Sequence, residues 1–148
     1  MKRIKTLIIT LIFSVIFIIP SHANKSVEEI IKGRKAIFSK NYQTAKKISI
    51  LLKSNKVEEA KPLMQEMSDN YKKLLNYFPE NTKEGFKTEA LPTIWENSDE
   101  FVTLMQKASF DMIQLAKAID TAEDLRAVQK ELMWNNCSAC HKKFRAEH

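Results

Sequence analysis

Apolar residues recur every three or four positions in four separate stretches of this chain, which is the spacing of one face of an α-helix. Each stretch is rich in good helix formers such as Lys, Glu, Ala, Leu and Met, and the chain contains only two glycines. The pattern predicts four helices, at about 27–53, 56–77, 94–118 and 121–145. A capping-box pattern, looser in the second case, marks the start of each helix: Ser26-x-x-Glu29, Asn55-x-x-Glu58, Thr93-x-x-Glu96 and Asp120-x-x-Glu123.

The connections between these helices indicate how they are arranged. The first and second helices, and the third and fourth, are joined by short segments, so each pair is expected to be antiparallel. The one long connection contains Pro79, Gly85 and Pro92. Pro62, inside the second helix, predicts a kink or a later helix start. The chain is therefore predicted to be all-α, an antiparallel four-helix bundle with up-down-up-down topology.

The apolar face of the first helix contains one cation, Arg34. This face is formed by Val27, Ile31, Arg34, Phe38, Tyr42, Ala45, Ile48 and Leu52. An unpaired buried charge is costly, so the guanidinium needs a partner inside the bundle. The alternative is that only the stem of Arg34 is buried while its charged head reaches water.

The first residues have the features of a secretory signal peptide. Three basic residues precede an apolar run at 7–19, and Ser21-His22-Ala23 has the small-x-small pattern of a cleavage site. The apolar run is shorter than the ~20 residues that a membrane span needs, so cleavage is favoured over an uncleaved anchor. We expect residues 1–23 to be removed and residues 24–148 to form one domain.

The charge pattern argues against nucleic acid as a partner. The chain has a net charge of +6, and three of its basic residues lie in the predicted signal peptide. The remaining lysines are scattered, and no nucleic-acid-binding module is recognisable. No hydroxyl–His–Asp triad or pair of catalytic acids is recognisable either, so no catalytic residue is predicted and the chain is not expected to be an enzyme.

Both cysteines of the chain stand close together near its end, in Cys137-Ser138-Ala139-Cys140-His141. The pattern C-x-x-C-H is the one through which c-type haem is attached. Each cysteine forms a thioether with one haem vinyl group, and the histidine becomes an axial ligand of the iron. The motif predicts one covalent haem c among the helices, with His141 as the ligand of its iron.

Three other kinds of site fit the cysteine pair less well. A thioredoxin-type pair needs a βαβ setting, and no strand pattern precedes this one. A structural zinc site needs four ligands, and His148 is the only further histidine in 24–148. A disulfide is compatible with an oxidising compartment but does not explain His141. Because c-type haem is attached outside the bacterial cytoplasm, the motif and the signal peptide together predict a periplasmic protein, and a haem propionate becomes the expected partner of Arg34.

A haem motif on the last helix of a four-helix bundle resembles the cytochrome c′ family, the class II c-type cytochromes. The resemblance covers essentially the whole of 24–148 and is carried by the segments KGRKAIF (32–38), TEALPTIW (88–95) and CSACHKKFR (137–145). It implies a role in haem binding for six residues: Cys137 and Cys140 as thioether cysteines, His141 as proximal ligand, Arg145 beside that histidine, Arg34 near a propionate, and Phe38 over the open face of the iron. Arg145 could also compensate the negative end of the helix dipole.

Phe38 stands at the position that divides the family. A bulky apolar side chain there leaves the iron five-coordinate, whereas low-spin relatives have a methionine there that binds the iron. The first helix contains no methionine. The methionines of 24–148 have spacings typical of core packing, and they are Met64, Met67, Met105, Met112 and Met133. Phe38 therefore predicts an iron with His141 as its only protein ligand.

Two functions follow from this reading. The first is binding of NO or CO at the open iron face, where an apolar pocket offers dioxygen no hydrogen bond and makes dioxygen binding weak. The second is transfer of single electrons to or from a redox partner protein, either alongside gas binding or, as the alternative, by a six-coordinate low-spin cytochrome that is purely an electron carrier. The resemblance also implies that a homodimer through the first two helices has to be considered.

Overall fold

The computed structural model describes residues 25–147, so the predicted signal peptide at 1–23 lies outside the described residues. Helices account for nearly all the regular structure of the described part: α1 Val27–Lys53, α2 Val57–Leu74, α3 Thr93–Glu96, α4 Ser98–Ala118, α5 Leu125–Gln129 and α6 Asn135–Phe144. A π-helical turn, Lys130–Trp134, joins α5 to α6, and two 3₁₀ turns, Leu75–Tyr77 and Glu80–Thr82, lie between α2 and α3. None of the helices in 25–147 combines the length and the apolar character needed to cross a bilayer.

The bundle consists of four long helical segments: α1, α2, α4 and the continuous α5–α6 segment. The most extensive contacts are between α2 and α4, followed by those between α1 and α2 and those between α4 and the α5–α6 segment. The predicted all-α fold and four-helix bundle are therefore confirmed. The α5–α6 segment begins at residue 125 rather than at the predicted 121, and α2 ends in a 3₁₀ turn that extends to Tyr77.

The core of the bundle is rich in methionine. All five methionines of the described chain are at most 2% exposed, which agrees with their predicted role in packing. On α1 the buried face is slightly rotated from the predicted one. Tyr42 is 55% exposed, while its neighbour Asn41 is 3% exposed. The apolar spacing selected Tyr42 because it is aromatic, but the helix turns a polar amide towards the interior at this point.

The predicted cap at Ser26 is confirmed. Its hydroxyl accepts a hydrogen bond from the backbone of Glu29 at 3.2 Å, and the Glu29 carboxylate accepts one from the Ser26 backbone at 2.7 Å. The predicted cap at Asn55 is wrong, because Asn55 adopts a left-handed conformation in the α1–α2 turn, with φ of 56°. Helix α2 nevertheless starts at Val57 and runs through Pro62, so a later start after this proline is also wrong.

The predicted caps at Thr93 and Asp120 are wrong. Thr93 lies inside α3, and its hydroxyl donates to the backbone oxygen of Lys143 at 2.8 Å instead of capping the helix. Asp120 forms an ion pair with Lys61. The cap of α5 is Asp124, whose carboxylate accepts hydrogen bonds from two backbone N–H groups of the first turn, at 2.9 and 3.0 Å.

We expect Asp124→Ala to lower the free energy of unfolding by about 1 kcal/mol, because it removes both hydrogen bonds of the cap. Glu123→Ala is the matched control, since Glu123 belongs to the capping box that does not form, and it should change stability by less than about 0.5 kcal/mol. Urea denaturation followed by circular dichroism measures both. Equal losses in the two variants would contradict the assignment of the cap.

Candidate haem site

A cavity of about 780 Å³ lies between the helices, within the size range of cofactor sites. Helix α6 contributes Cys137, Cys140 and His141 to its wall, and α1 contributes Arg34 and Phe38. The remaining wall comes mainly from apolar residues of α2, α4 and the 78–94 segment. The two cysteines and the histidine of the C-x-x-C-H motif therefore border one large cavity.

The position of the motif follows from the regularity of α6. Residues three and four apart on a helix share one face, so Cys137, Cys140 and His141 can all border the same space. Next to the motif, the buried Asn136 ties α6 to the rest of the bundle. Its amide nitrogen donates to the Asp111 carboxylate at 2.8 Å and to the Leu132 backbone oxygen at 2.9 Å. The π-helical turn that precedes α6 is a feature often found at functional sites.

The two thiols are half-buried and are not joined in a disulfide. Burial raises the pKa of the Cys137 thiol, with an opposing effect from the Tyr71 hydroxyl, and raises the pKa of the Cys140 thiol to about 11. Burial thus favours the neutral thiol over the thiolate at both positions. Within residues 25–147 no three His, Cys, Asp or Glu side chains are grouped as metal ligands.

Arg34 is buried together with its charged head, being only 2% exposed. Its two terminal nitrogens donate four hydrogen bonds: to the Tyr77 backbone oxygen at 3.2 Å, to the hydroxyl and backbone oxygens of Thr82 at 3.0 and 2.8 Å, and to the Thr88 hydroxyl at 2.6 Å. The guanidinium also lies 4.8 Å from the centre of the Phe78 ring. Burial lowers the pKa of Arg34 to about 10, so it stays cationic at neutral pH.

The alternative that the charged head of Arg34 reaches water is wrong. The head does not reach water, because the protein itself supplies the oxygen atoms that surround it. Gly33 allows α1 to approach the Tyr77 ring closely, because a Cβ atom at this position would lie 2.6 Å from a ring carbon of Tyr77. Arg34 thus fastens α1 to the 77–88 segment at the edge of the cavity. Its pairing with a haem propionate remains a prediction.

Phe38 is half-buried in the cavity wall and starts a row of aromatic rings. Its ring meets Phe78 edge-on with 6.5 Å between centroids, Phe78 meets Phe101 at 4.7 Å, and Phe101 meets Phe144 at 5.4 Å. The row runs from α1 to the end of α6. Edge-to-face contacts are a favourable arrangement of aromatic rings, so this row helps to pack the apolar part of the wall.

Arg145 follows α6 and joins the other side of the cavity. Its Nε donates to the Glu89 carboxylate at 3.0 Å, and its backbone forms a bridge with Ala90. Backbone hydrogen bonds from Ala146 to Glu89 and from Leu91 to Phe144 extend this connection. The side chain is therefore neutralised by a carboxylate rather than by the helix end alone. Its place beside His141, which lies exposed at the cavity wall, remains a prediction.

Several polar residues of the wall were not among the predicted site residues, and two of them, Asn41 and Tyr71, are buried next to each other. Asn41 and Tyr71 both border the cavity, and they are 3% and 7% exposed. Burial raises the pKa of the Tyr71 phenol, and Cys137 adds to this effect. The sequence contained a weak signal, since Asn41 lies three residues after Phe38 on α1. The cavity is consequently less apolar than Phe38 alone indicated.

A Cys-x-x-Cys-His helix bordering a cavity inside a four-helix bundle defines a class, the bundle proteins with covalently attached c-type haem. The family model described as Cytochrome C′ matches residues 29–145. The chain therefore belongs to the cytochrome c′ family, whose members carry one covalent haem c.

Individual relatives agree with this assignment. The chain is 32% identical over 122 residues to cytochrome c′ of Rhodopseudomonas palustris, covering 80% of this chain and 83% of the relative. The solved structure of cytochrome c′ from Rhodopseudomonas palustris matches with a TM-score of 0.65 at 30% identity, over 80% of this chain and 97% of that one. A variant of cytochrome c′ from Alcaligenes xylosoxidans, solved as its nitric oxide complex, matches with a TM-score of 0.69 at 20% identity, over 82% and 98% of the two chains, which is evidence for the fold alone.

The site is suited to this cofactor. The cavity has the volume of a cofactor site, and it brings together two thiols for attachment and one imidazole. When bound, haem c supplies an iron that takes small ligands and exchanges one electron. The chain supplies the rest: an apolar aromatic wall, a buried cation and a helix that fixes the spacing of the attachment residues.

We expect Arg34→Met to lower the free energy of unfolding by about 2–4 kcal/mol, because four hydrogen bonds from a cation are lost and buried oxygen atoms lose their donors. Lys32→Met is the control, since Lys32 is exposed and forms only a surface ion pair, worth at most about 1 kcal/mol. Chemical denaturation of the purified proteins measures both. A loss for Arg34→Met no larger than that of the control would show that these hydrogen bonds do not stabilise the fold.

Proposed function

We propose that this chain is a periplasmic cytochrome c′ with a five-coordinate haem that binds NO and CO at its open iron face and can transfer one electron. The mature protein would be residues 24–148, left after removal of a signal peptide at 1–23. The proposal concerns ligand binding and electron transfer, and it assigns no catalytic residue.

Six residues receive roles in this proposal. Cys137 and Cys140 attach the haem, and His141 is the one protein ligand of the iron. Arg34 lies near a propionate, Arg145 lies beside His141, and Phe38 covers the open face. All six line the cavity, which is what their roles require.

The observation that carries the proposal is the position of Phe38 in the cavity wall. A phenyl ring cannot bind iron, and α1 contains neither methionine nor histidine. Phe38 is half-buried and packs edge-on against Phe78, and entry of a small ligand requires this ring to move aside. The nitric oxide complex solved for the Alcaligenes xylosoxidans relative supports NO as a ligand of this fold.

A second candidate is the six-coordinate cytochrome that only carries electrons. Met67 and Met105 line the cavity, and a thioether is a known axial ligand of c-type haem. Both lie on other helices than Phe38, and both are buried among core side chains, at 0% and 2% exposure. We therefore favour the open iron face.

The partners follow from the same chemistry. Small gases are the ligands, and a redox protein is the partner for electron transfer. Nucleic acid is not proposed, because the described chain shows no basic binding module. A homodimer through α1 and α2 is the proposed assembly, and Tyr42 and Ile50, exposed by 55% and 66% on α1, are the candidate contact residues.

We expect Phe38→Ala to speed the association of CO with the reduced protein several-fold, because it removes the ring that covers the iron. Phe38→Met should convert the oxidised protein to a low-spin, six-coordinate form. Phe110→Ala is the control, since Phe110 is an exposed phenylalanine of α4 that does not line the cavity, and it should leave both properties unchanged. Flash photolysis and optical spectroscopy are the measurements.

The opposite result would support the second candidate. A wild-type protein that is already low-spin, and that becomes high-spin in Met67→Leu or Met105→Leu, would show that a methionine occupies the sixth position. In that case the release of the methionine limits the rate of CO association, and Phe38→Ala does not increase this rate.

A further inference from the structure

A line of three polar side chains leads from the surface of α2 to the wall of the haem cavity. The Asn70 amide nitrogen donates to the Asn41 side-chain oxygen at 2.8 Å. Asn41 and Tyr71 are buried, and both border the cavity. Neither residue has a role in the function proposed above, although a polar group inside a cofactor cavity is costly unless it finds a partner.

The amide of Asn41 has a defined orientation. Because its oxygen accepts from Asn70, its nitrogen is directed away from Asn70. That nitrogen is buried and has no hydrogen-bond partner of normal geometry among the described residues. Tyr71 provides the hydroxyl that both Asn41 and Cys137 approach. A small movement of the side chain lets the Asn41 amide donate to the Tyr71 oxygen. The O–H of Tyr71 is then the last donor in this chain of hydrogen bonds.

The Tyr71 hydroxyl then needs an acceptor. It remains protonated at physiological pH, since burial disfavours the phenolate. The Cys137 sulfur is close, but a sulfur in a thioether accepts hydrogen bonds only weakly. The strong acceptor must therefore come from whatever fills the cavity.

The chain of polar residues Asn70, Asn41 and Tyr71 ends near the part of the cavity beside Phe38, where the proposed function places small ligands. Asn41 lies three residues after Phe38, so the two share one face of α1. The Tyr71 hydroxyl lies beside the Asn41 side chain, and both residues line the cavity. Asn41 thus lies on the face of α1 that presents the Phe38 ring, and Tyr71 lies next to Asn41.

We infer that Tyr71, supported by Asn41 and Asn70, donates a hydrogen bond to a small ligand bound at the open iron face, and that it favours anionic or strongly polarised ligands over CO. The inference rests on the proposed function, because it requires an iron face that is open beside Phe38. The ligand pocket beside Phe38 then contains one hydrogen-bond donor, the Tyr71 hydroxyl, instead of being wholly apolar as Phe38 predicts.

Tyr71→Phe in the haem-loaded protein is the direct test, because it removes the hydroxyl and keeps the ring. A donor near the oxygen of CO lowers the CO stretching frequency, so the variant should show a higher frequency in the infrared spectrum of the reduced protein with CO. Hydrogen bonds to charged groups are stronger than those to neutral ones, so the affinity of the oxidised protein for azide should fall roughly ten-fold.

Tyr77→Phe is the matched control. The Tyr77 hydroxyl accepts a hydrogen bond from Lys25 and does not line the cavity, so its removal should change neither the CO frequency nor the azide affinity. Asn41→Leu is a second variant that disturbs the supporting amide, and it should shift both readings in the same direction as Tyr71→Phe by a smaller amount.

Two results would overturn the inference in different ways. If wild-type protein binds CO but Tyr71→Phe matches both wild type and Tyr77→Phe in CO frequency and azide affinity, the hydroxyl does not contact the ligand, and the proposed function is unaffected. If wild-type protein with its haem attached binds no CO at all, the open iron face is absent, and the proposed function fails together with this inference.

Discussion

A four-helix bundle normally fills its interior with side chains, yet this one has to hold open a space of about 780 Å³. The rest of the structure depends on that constraint. Three connections brace the walls. Arg34 fastens α1 to the 77–88 segment, Asn136 fastens α6 to α4, and the residues after α6 pair with 89–91. All three lie around the cavity, and buried methionines pack both its wall and the rest of the core.

The same constraint explains why polar groups are buried here. Arg34 and Asn136 have their hydrogen bonds satisfied by the protein, and both connect elements on different sides of the cavity. Asn41 differs from them, because its amide nitrogen has no partner of normal geometry in the described chain. Burial of a donor without a partner is costly, which is why we connect Asn41 and Tyr71 with the contents of the cavity rather than with the stability of the bundle.

Much of this arrangement was predictable from the sequence, for reasons that differ from residue to residue. The helices follow from apolar spacing, and the grouping of Cys137, Cys140 and His141 follows from helical periodicity alone. The cap at Asp124 was not predictable, because only Asp120 is followed three residues later by a glutamate, and the ion pair of Asp120 with Lys61 depends on the tertiary structure. The oxygen atoms around Arg34 lie more than forty residues away in the chain, so local pattern could indicate that a partner was needed but not which one. The burial of Asn41 was not predictable, because the apolar spacing on α1 includes its aromatic neighbour Tyr42 instead.

The optical spectrum of the wild-type protein before and after addition of CO shows whether His141 is the only protein ligand of the haem iron. If it is, the reduced protein has a high-spin, five-coordinate spectrum, which changes to a six-coordinate spectrum with one CO bound per haem. A low-spin spectrum before CO is added, with the charge-transfer band of a methionine ligand in the oxidised protein and no change on exposure to CO, would contradict this assignment of His141.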